Sequence, residues 1–155
     1  MTTNHWTESL LRSALANYNQ RVDASMMADM VAVWRRILGD LDEKACRAAL
    51  AEIIITEDWM PRPIQIRKRV IDARDPRPRI EPTEAWSQWT TWCRIIQSGG
   101  QPRTDLHPLV RETVRRLGDA AKGMHTNGDR DVFVNAFEKV WQDDDLQRYR
   151  LPEAS

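Results

Sequence analysis

Apolar residues recur every three to four positions along most of this chain, which is the spacing of one face of an α-helix. The clearest stretch spans about three helical turns and contains Met26, Met27, Met30, Val31, Trp34, Ile37 and Leu38. The best candidate for a strand, residues 53–56 (IIIT), continues a helical pattern instead of alternating with polar residues. The hydrophobic pattern therefore predicts an all-α fold.

Capping and turn residues mark the first three predicted helices. Thr7 is suited to cap the first helix. The second runs from about Ser25 to Gly39, where glycine can adopt the left-handed conformation that ends a helix. Asp40, with Glu43 three residues later, forms a variant of the capping box and predicts that the third helix starts directly after this turn. Because the connection is so short, we expect the second and third helices to pack antiparallel.

Prolines mark the middle of the chain. Pro63 fits the first turn of a fourth helix over residues 63–74, because the N–H group that proline lacks has no partner there. Residues 75–82 then carry three prolines, which exclude regular structure and favour an extended path. The sequence predicts two small helical units, residues 1–74 and 83–155, built from antiparallel helix pairs and joined by this Pro-rich linker.

Three further helices are predicted in the second unit. They begin near Pro82, Pro108 and Asp129. Gly99 and Gly118 end the first two of them. Three aspartates at 143–145 lie near the end of the last helix, where the helix dipole disfavours negative charge. We therefore expect the helix to fray there and the tail that follows to be loose.

Composition limits the class of protein. The 155 residues, 41% of them hydrophobic and seven of them tryptophan, suffice for a packed core. Cys46 and Cys93 are isolated, and the apolar neighbours of Cys46 predict a buried free thiol. No apolar run reaches the ~18 residues of a membrane span. Residues 1–10 lack the basic start and apolar block of a signal peptide. We expect a cytoplasmic protein, of a cell or of something that replicates in one, without a membrane partner.

No motif in the sequence predicts an enzyme. The chain lacks a phosphate-binding P-loop, a GxSxG nucleophile elbow, an HExxH zinc motif and an EF-hand loop. His5, His107 and His125 are scattered, and no Cys or His pair has zinc-ligand spacing. The aspartates at 143–145 are expected to be a solvated charged run. The sequence therefore predicts a protein that acts by binding, with no cofactor and no metal.

The central basic stretch is the sharpest candidate for a binding surface. The net charge of the chain is zero, but residues 62–79 contain seven basic and two acidic side chains. The basic residues are Arg62, Arg67, Lys68, Arg69, Arg74, Arg77 and Arg79. They are suited to neutralise the phosphates of a nucleic acid, with a steep dependence on salt. The favoured alternative is that they pair with a partner protein or with the acidic regions on either side of them.

Two further features bear on contacts. The wheel of helix four has two apolar stripes, one of Ile66, Val70 and Ala73 and one of Ile64 and Ile71. Arg67 and Arg74 lie between the stripes, which is typical of a helix that touches two bodies. One of those bodies is either a partner or the second half of the chain itself. Trp92 belongs to a tryptophan series expected in the core, and it is the member expected at the edge, where it is available for a contact.

The stretch from Trp34 to Ile71 combines several of these features. Trp34 precedes the turn Leu38-Gly39-Asp40, an alanine-rich helix follows, and Trp59, Pro61 and Ile66 form an aromatic-x-Pro-x-x-x-x-Ile turn into the next helix. Over residues 7–74 the pattern resembles the N-terminal domain of the phage family of loaders and inhibitors of the replicative helicase. The second half is similar to regions of other phage replication proteins, through Ala85-Trp86, Gly118, Phe133 and Phe137.

The resemblance implies an all-helical, non-enzymatic adaptor. Such a protein binds a hexameric replicative helicase, restrains it, and helps deliver it to an origin-binding protein or to single-stranded DNA. The resemblance also implies a disordered C-terminal tail, but the periodic apolar faces of the second half predict that it is folded. The alternative is a small DNA-binding replication or packaging protein, in which the basic helix 63–74 meets phosphates through Lys68 and Arg69.

Overall fold

The computed structural model describes residues 5–153, and every regular element in that part of the chain is helical. The α-helices are α1 (His5–Asn17), α2 (Ala24–Leu38), α3 (Glu43–Thr56), α4 (Pro63–Arg74), α5 (Pro82–Gln97), α6 (Pro108–Leu117) and α7 (Asn127–Arg148). A 3-10 helix, Gly118–Gly123, follows α6. The predicted all-α fold is confirmed. Among the described helices, none combines the length and the apolar character that crossing a membrane requires.

The chain divides into two compact units, and the division differs from the predicted one at the C-terminal end. Unit 1 takes in the chain up to Arg77 and resumes at Tyr149, whereas unit 2 spans Pro78–Arg148. The first crossing between the units lies within the predicted linker. The second was not predicted, because residues 149–153 were expected to form a loose tail of the second unit. They pack with unit 1 instead.

Unit 1 is a bundle of α1 to α4. Both α1 and α4 pack against α2 and α3. The short turn between α2 and α3 had suggested that these two helices pack on each other, but each packs chiefly on α1 and α4. Their apolar stripes meet in one core. It contains Leu10, Leu11, Ala14, Leu15, Trp34, Leu38, Cys46, Ala49, Leu50, Ile53, Ile66 and Val70.

The helix ends in unit 1 correct three capping predictions. Thr7 does not cap α1, because the helix already begins at His5. Its side chain is fully buried inside the helix bundle. Gly39 has φ −64°, an ordinary right-handed value. Asp42, rather than Asp40, caps α3, since its side chain accepts a hydrogen bond from the backbone N–H of Ala45 at 2.9 Å. Asp40 is therefore available for another contact.

Unit 2 contains α5, α6 and α7 with the 3-10 helix. Its core is rich in aromatic residues and contains Ile80, Ala85, Trp89, Leu106, Leu109, Val110, Ala121, Phe133, Phe137 and Val140. The indole N–H of Trp89 donates a hydrogen bond to the carbonyl of Ala121 at 2.8 Å, so this buried polar group has a partner. Gly118 ends α6 as predicted, with φ +63°, a left-handed value that favours glycine.

The last helix is longer than predicted at both ends. It begins at Asn127, after a reciprocal cap: Asp129 accepts hydrogen bonds from the backbone of His125 and Thr126, and Thr126 accepts one from the backbone of Asp129. The backbone hydrogen bonds, that of His125 first, lower the pKa of Asp129. The helix continues to Arg148 without the predicted fraying. The negative charge of Asp143, which the helix dipole disfavours, is balanced by an ion pair with Arg116 at 2.6 Å.

Candidate functional site

Helix α4 carries the basic residues that the sequence singled out, and its central arginine is in the interior. The Arg67 side chain is 4% exposed. The predicted contact surface therefore loses this residue, and the alternative of pairing within the chain holds for it. Charged residues are rarely buried unless they are paired, so the partners of Arg67 decide what α4 can do.

All five N–H groups of the Arg67 guanidinium have an acceptor. Two bonds go to the carboxylate of Asp40, from Nη1 to Oδ1 at 2.6 Å and from Nη2 to Oδ2 at 3.0 Å, which is a bidentate ion pair. A third bond runs from Nη1 to the carbonyl of Ile37 at 2.8 Å, at the end of α2. Three of the five donors thus join α4 to the last residues of α2 and to the turn that follows it.

The other two donors hold the end of the chain. Residues 149–153, here called the C-terminal strap, lie on unit 1. Nε of Arg67 donates to the carbonyl of Tyr149 at 3.3 Å, and Nη2 donates to the carbonyl of Arg150 at 2.9 Å. Sequence reasoning missed this contact, because it joins residues more than eighty positions apart. The only signal was the position of Arg67 between two apolar stripes.

Three further contacts seat the strap. The phenol O–H of Tyr149 donates to Oδ1 of Asp72 at 2.6 Å, and the ammonium of Lys68 lies 5.4 Å from the centre of the Tyr149 ring. Arg36 of α2 donates to the carbonyl of Pro152 at 2.9 Å. The residues of α2 and α4 around Arg67 therefore form a polar site that is occupied by the strap.

The other basic residues do not form one free surface. Arg69 is half-buried and lies 3.4 Å from a carboxylate oxygen of Glu52. Arg79 pairs with Glu81 at 3.3 Å, and Arg77 is half-buried. Arg62 and Arg74, at the two ends of α4, are exposed, and neither guanidinium bonds to a side chain in the part of the chain that the structure describes.

Two large apolar side chains flank the turn between α3 and α4 in unit 1. Ile55 is 84% exposed and Trp59 is 62% exposed. Trp59 was expected in the turn, but neither its exposure nor that of Ile55 was predicted from the sequence. A signal was present, because three consecutive isoleucines on a helix span about 200° of its circumference and cannot all face one core.

Unit 2 holds Trp92 and two open clefts. Trp92 is half-buried and lines a cleft of about 250 Å³ together with Gln88, Ile95, Arg103 and Asp105. A second cleft of about 420 Å³ is lined by other side chains of α5 and by the end of the 3-10 helix. Trp92 is in unit 2, whereas the strap site on α4 is in unit 1, so the predicted contact residues are divided between the two units.

Groups suited to metal binding do not cluster in the described residues. No three His, Cys, Asp or Glu side chains between residues 5 and 153 are arranged to hold a metal ion. Cys46 is fully buried, and burial raises the pKa of its thiol to about 11, which leaves it protonated and unreactive near neutral pH. Known proteins supply no further guide, since no protein-family model, curated protein or solved structure matches this chain.

Proposed function

We propose that this protein is a non-enzymatic adaptor of phage or prophage DNA replication, which binds a hexameric replicative helicase in the bacterial cytoplasm and loads or inhibits it. The residues on which the family resemblance rests lie together in unit 1. Trp34 and Leu38 are in its core, and Trp59 is at the exposed turn before α4.

The observation that carries the proposal is the exposure of Ile55 and Trp59, which are the two most exposed large apolar side chains in the described part of unit 1. Full burial of a side chain of this size contributes about 1.5–3 kcal/mol. Tryptophan is among the residues that most often dominate the energy of a protein interface. The α3–α4 turn therefore favours a protein partner over a small ligand.

A binding protein can change the state of a helicase only through unequal affinity. A loader must bind the open ring more tightly than the closed ring, and an inhibitor must favour a state that does not translocate. A shift of the ring from 1:99 to 99:1 requires about 5.5 kcal/mol of differential binding. A state of the ring that buries both anchors, while the other state leaves both exposed, gains about 3–6 kcal/mol, which is of that order.

The proposal is tested by mixing the protein with the cognate hexameric helicase, followed by size exclusion and by assays of ATPase and unwinding. Co-elution and a changed rate are expected. The Trp59→Ala variant should weaken binding at least about tenfold. Leu146→Ala is the matched control, because Leu146 is 74% exposed and lies in unit 2. Absence of co-elution together with unchanged helicase rates would sink the proposal.

A second function is favoured by Arg62 and Arg74, whose exposed guanidinium groups are not paired with side chains of the described chain. In this case the protein binds DNA through the ends of α4, and the gel shift of the Arg62→Ala, Arg74→Ala double variant is reduced. Each lost phosphate contact lowers the slope of log K against log salt by about 0.7–0.9. Binding that is absent, or that does not respond to salt, would exclude this function.

A further inference from the structure

The contact between Arg67 and the C-terminal strap resembles the recognition of a ligand more than the packing of a core. One guanidinium binds two consecutive backbone carbonyls, those of Tyr149 and Arg150. Arg36 binds a third carbonyl, that of Pro152. Backbone carbonyls are present in every peptide, so these three contacts recognise a peptide backbone whatever its side chains are.

The tyrosine supplies the selectivity. Its hydroxyl donates to Asp72 at 2.6 Å, and its ring lies below the ammonium of Lys68. Phenylalanine would lose the first contact and an aliphatic residue would lose both, because only an aromatic ring carries the quadrupole that attracts a cation. The ligand that fits is therefore a peptide with a tyrosine followed by accessible backbone carbonyls.

The strap is held by polar contacts and not by a buried apolar anchor. Within residues 149–153, no side chain is fully buried: Tyr149 and Leu151 are half-buried and the others are exposed. A segment with few buried apolar contacts opens locally at a lower free energy than the core that carries it. When it leaves, two N–H groups of Arg67 lose their acceptors, and these must be replaced by water or by another peptide.

We infer that unit 1 contains a peptide-binding site, formed by Arg36, Arg67, Lys68 and Asp72, and that the strap occupies it as a displaceable built-in ligand. The same segment supplied in trans competes for the site. The inference does not depend on the proposed function, because it concerns contacts of the chain with itself.

The first experiment measures the mobility of the strap backbone in the full-length protein by NMR relaxation of its amide signals, because the strap is held through its carbonyls. A synthetic peptide of residues 147–153, added in excess, should make the strap mobile, and the same peptide with Tyr149→Ala should not. In the protein, Tyr149→Phe should raise the population of the released strap about tenfold. Tyr18→Phe is the matched control, because the Tyr18 hydroxyl donates to the carbonyl of Glu57, away from the strap.

The second experiment measures binding of the fluorescent 147–153 peptide to full-length protein by anisotropy. The Tyr149→Ala protein should bind it at least about tenfold more tightly than the wild type, because its own strap competes less well. Circular dichroism establishes that the variant is folded, and Tyr149→Phe replaces it if it is not. Equal affinities for the two proteins, or a strap that is as mobile as a free tail in the wild type, would overturn the inference.

Discussion

Asp40 and Arg67 form a bidentate ion pair whose two members are buried to different degrees. The side chain of Asp40 is 31% exposed, whereas that of Arg67 is 4% exposed. The carboxylate can therefore be hydrated if its partner is removed, and the guanidinium cannot without opening the unit. This asymmetry predicts unequal effects for the two deletions.

We expect Asp40→Ala to be the more damaging substitution. It leaves a buried positive charge without its counterion, and such losses cost about 3–5 kcal/mol. Arg67→Met removes the charge and keeps much of the volume, so we expect it to cost about 1–3 kcal/mol through the acceptors left unpaired. Urea unfolding of both variants and of the double variant measures the difference.

A surface pair in the same unit serves as the control. Arg47 and Glu43 lie 3.0 Å apart on α3, with side chains 42% and 48% exposed. Glu43→Ala should change the free energy of unfolding by no more than about 1 kcal/mol. The prediction fails if Asp40→Ala and Arg67→Met lower the free energy of unfolding equally. It also fails if Glu43→Ala lowers it as much as Asp40→Ala does.

The N-terminal cap of α3 gives a second prediction. Because the Asp42 carboxylate accepts from the backbone of Ala45, Asp42→Ala should destabilise the protein by about 1 kcal/mol. Asp42→Asn should be nearly neutral, because an amide oxygen is also a good acceptor at this position. Thermal unfolding of the two variants distinguishes them, and an equal loss of stability for Asp42→Asn and Asp42→Ala would argue against capping by the side chain.

The sequence was sufficient for the fold where the signal is local. Helix α4 spans the predicted residues 63–74, because proline and apolar spacing determine it within one segment. The choice between Asp40 and Asp42 as the cap could not be made from local chemistry, since both are good caps and they lie two residues apart. A tertiary partner, Arg67, takes one of them and leaves the other for the helix.

The same reasoning explains why the strap site was only half predicted. The two apolar stripes of α4 indicated a second contact, and the occupancy of that helix by the chain itself was one of the alternatives. The identity of the occupant could not be predicted, because Tyr149 and Arg150 contribute backbone carbonyls, which carry no sequence signal. Arg67 is also separated from these two residues by 82 and 83 positions of the chain, so no local pattern links them.

Acid should weaken unit 2 through Glu112. Hydrogen bonds from Arg115 first and Arg116 second hold the pKa of Glu112 at about 2, below its ordinary value of 4.5. Because the folded value is the lower one, this contribution to stability is fully present above about pH 4.5 and is lost as the pH falls towards 2. Unfolding measured between pH 5 and 2 should show a smaller loss for Glu112→Gln than for the wild type.

The control for this titration is Glu138→Gln, at an exposed position of α7. This variant should keep the full loss of stability between pH 5 and 2. A direct NMR titration of the Glu112 carboxyl should give a midpoint near 2. A midpoint at the ordinary glutamate value would remove the basis of the prediction.

The two cysteines should differ in reactivity. Burial raises the pKa of both thiols, that of Cys46 to about 11, but Cys46 is fully buried whereas Cys93 lines an open cleft. A thiol reagent at pH 8 should therefore modify one equivalent per native chain, at Cys93, and a second only on unfolding. Cys93→Ser should abolish the native reaction, and rapid modification of two thiols in the folded wild type would contradict the structure.

The two crossings between the units make unit 2 an insertion within unit 1. During synthesis, α1 to α4 leave the ribosome first, yet Arg67 meets its last two acceptors only after 82 and 83 further residues have been made. At about 5–20 residues per second, that interval is about 4–17 s. All residues of unit 2 are therefore made before the last residues of unit 1. Until residues 149 and 150 have been made, two N–H groups of Arg67 lack the carbonyl acceptors that they have in the folded protein.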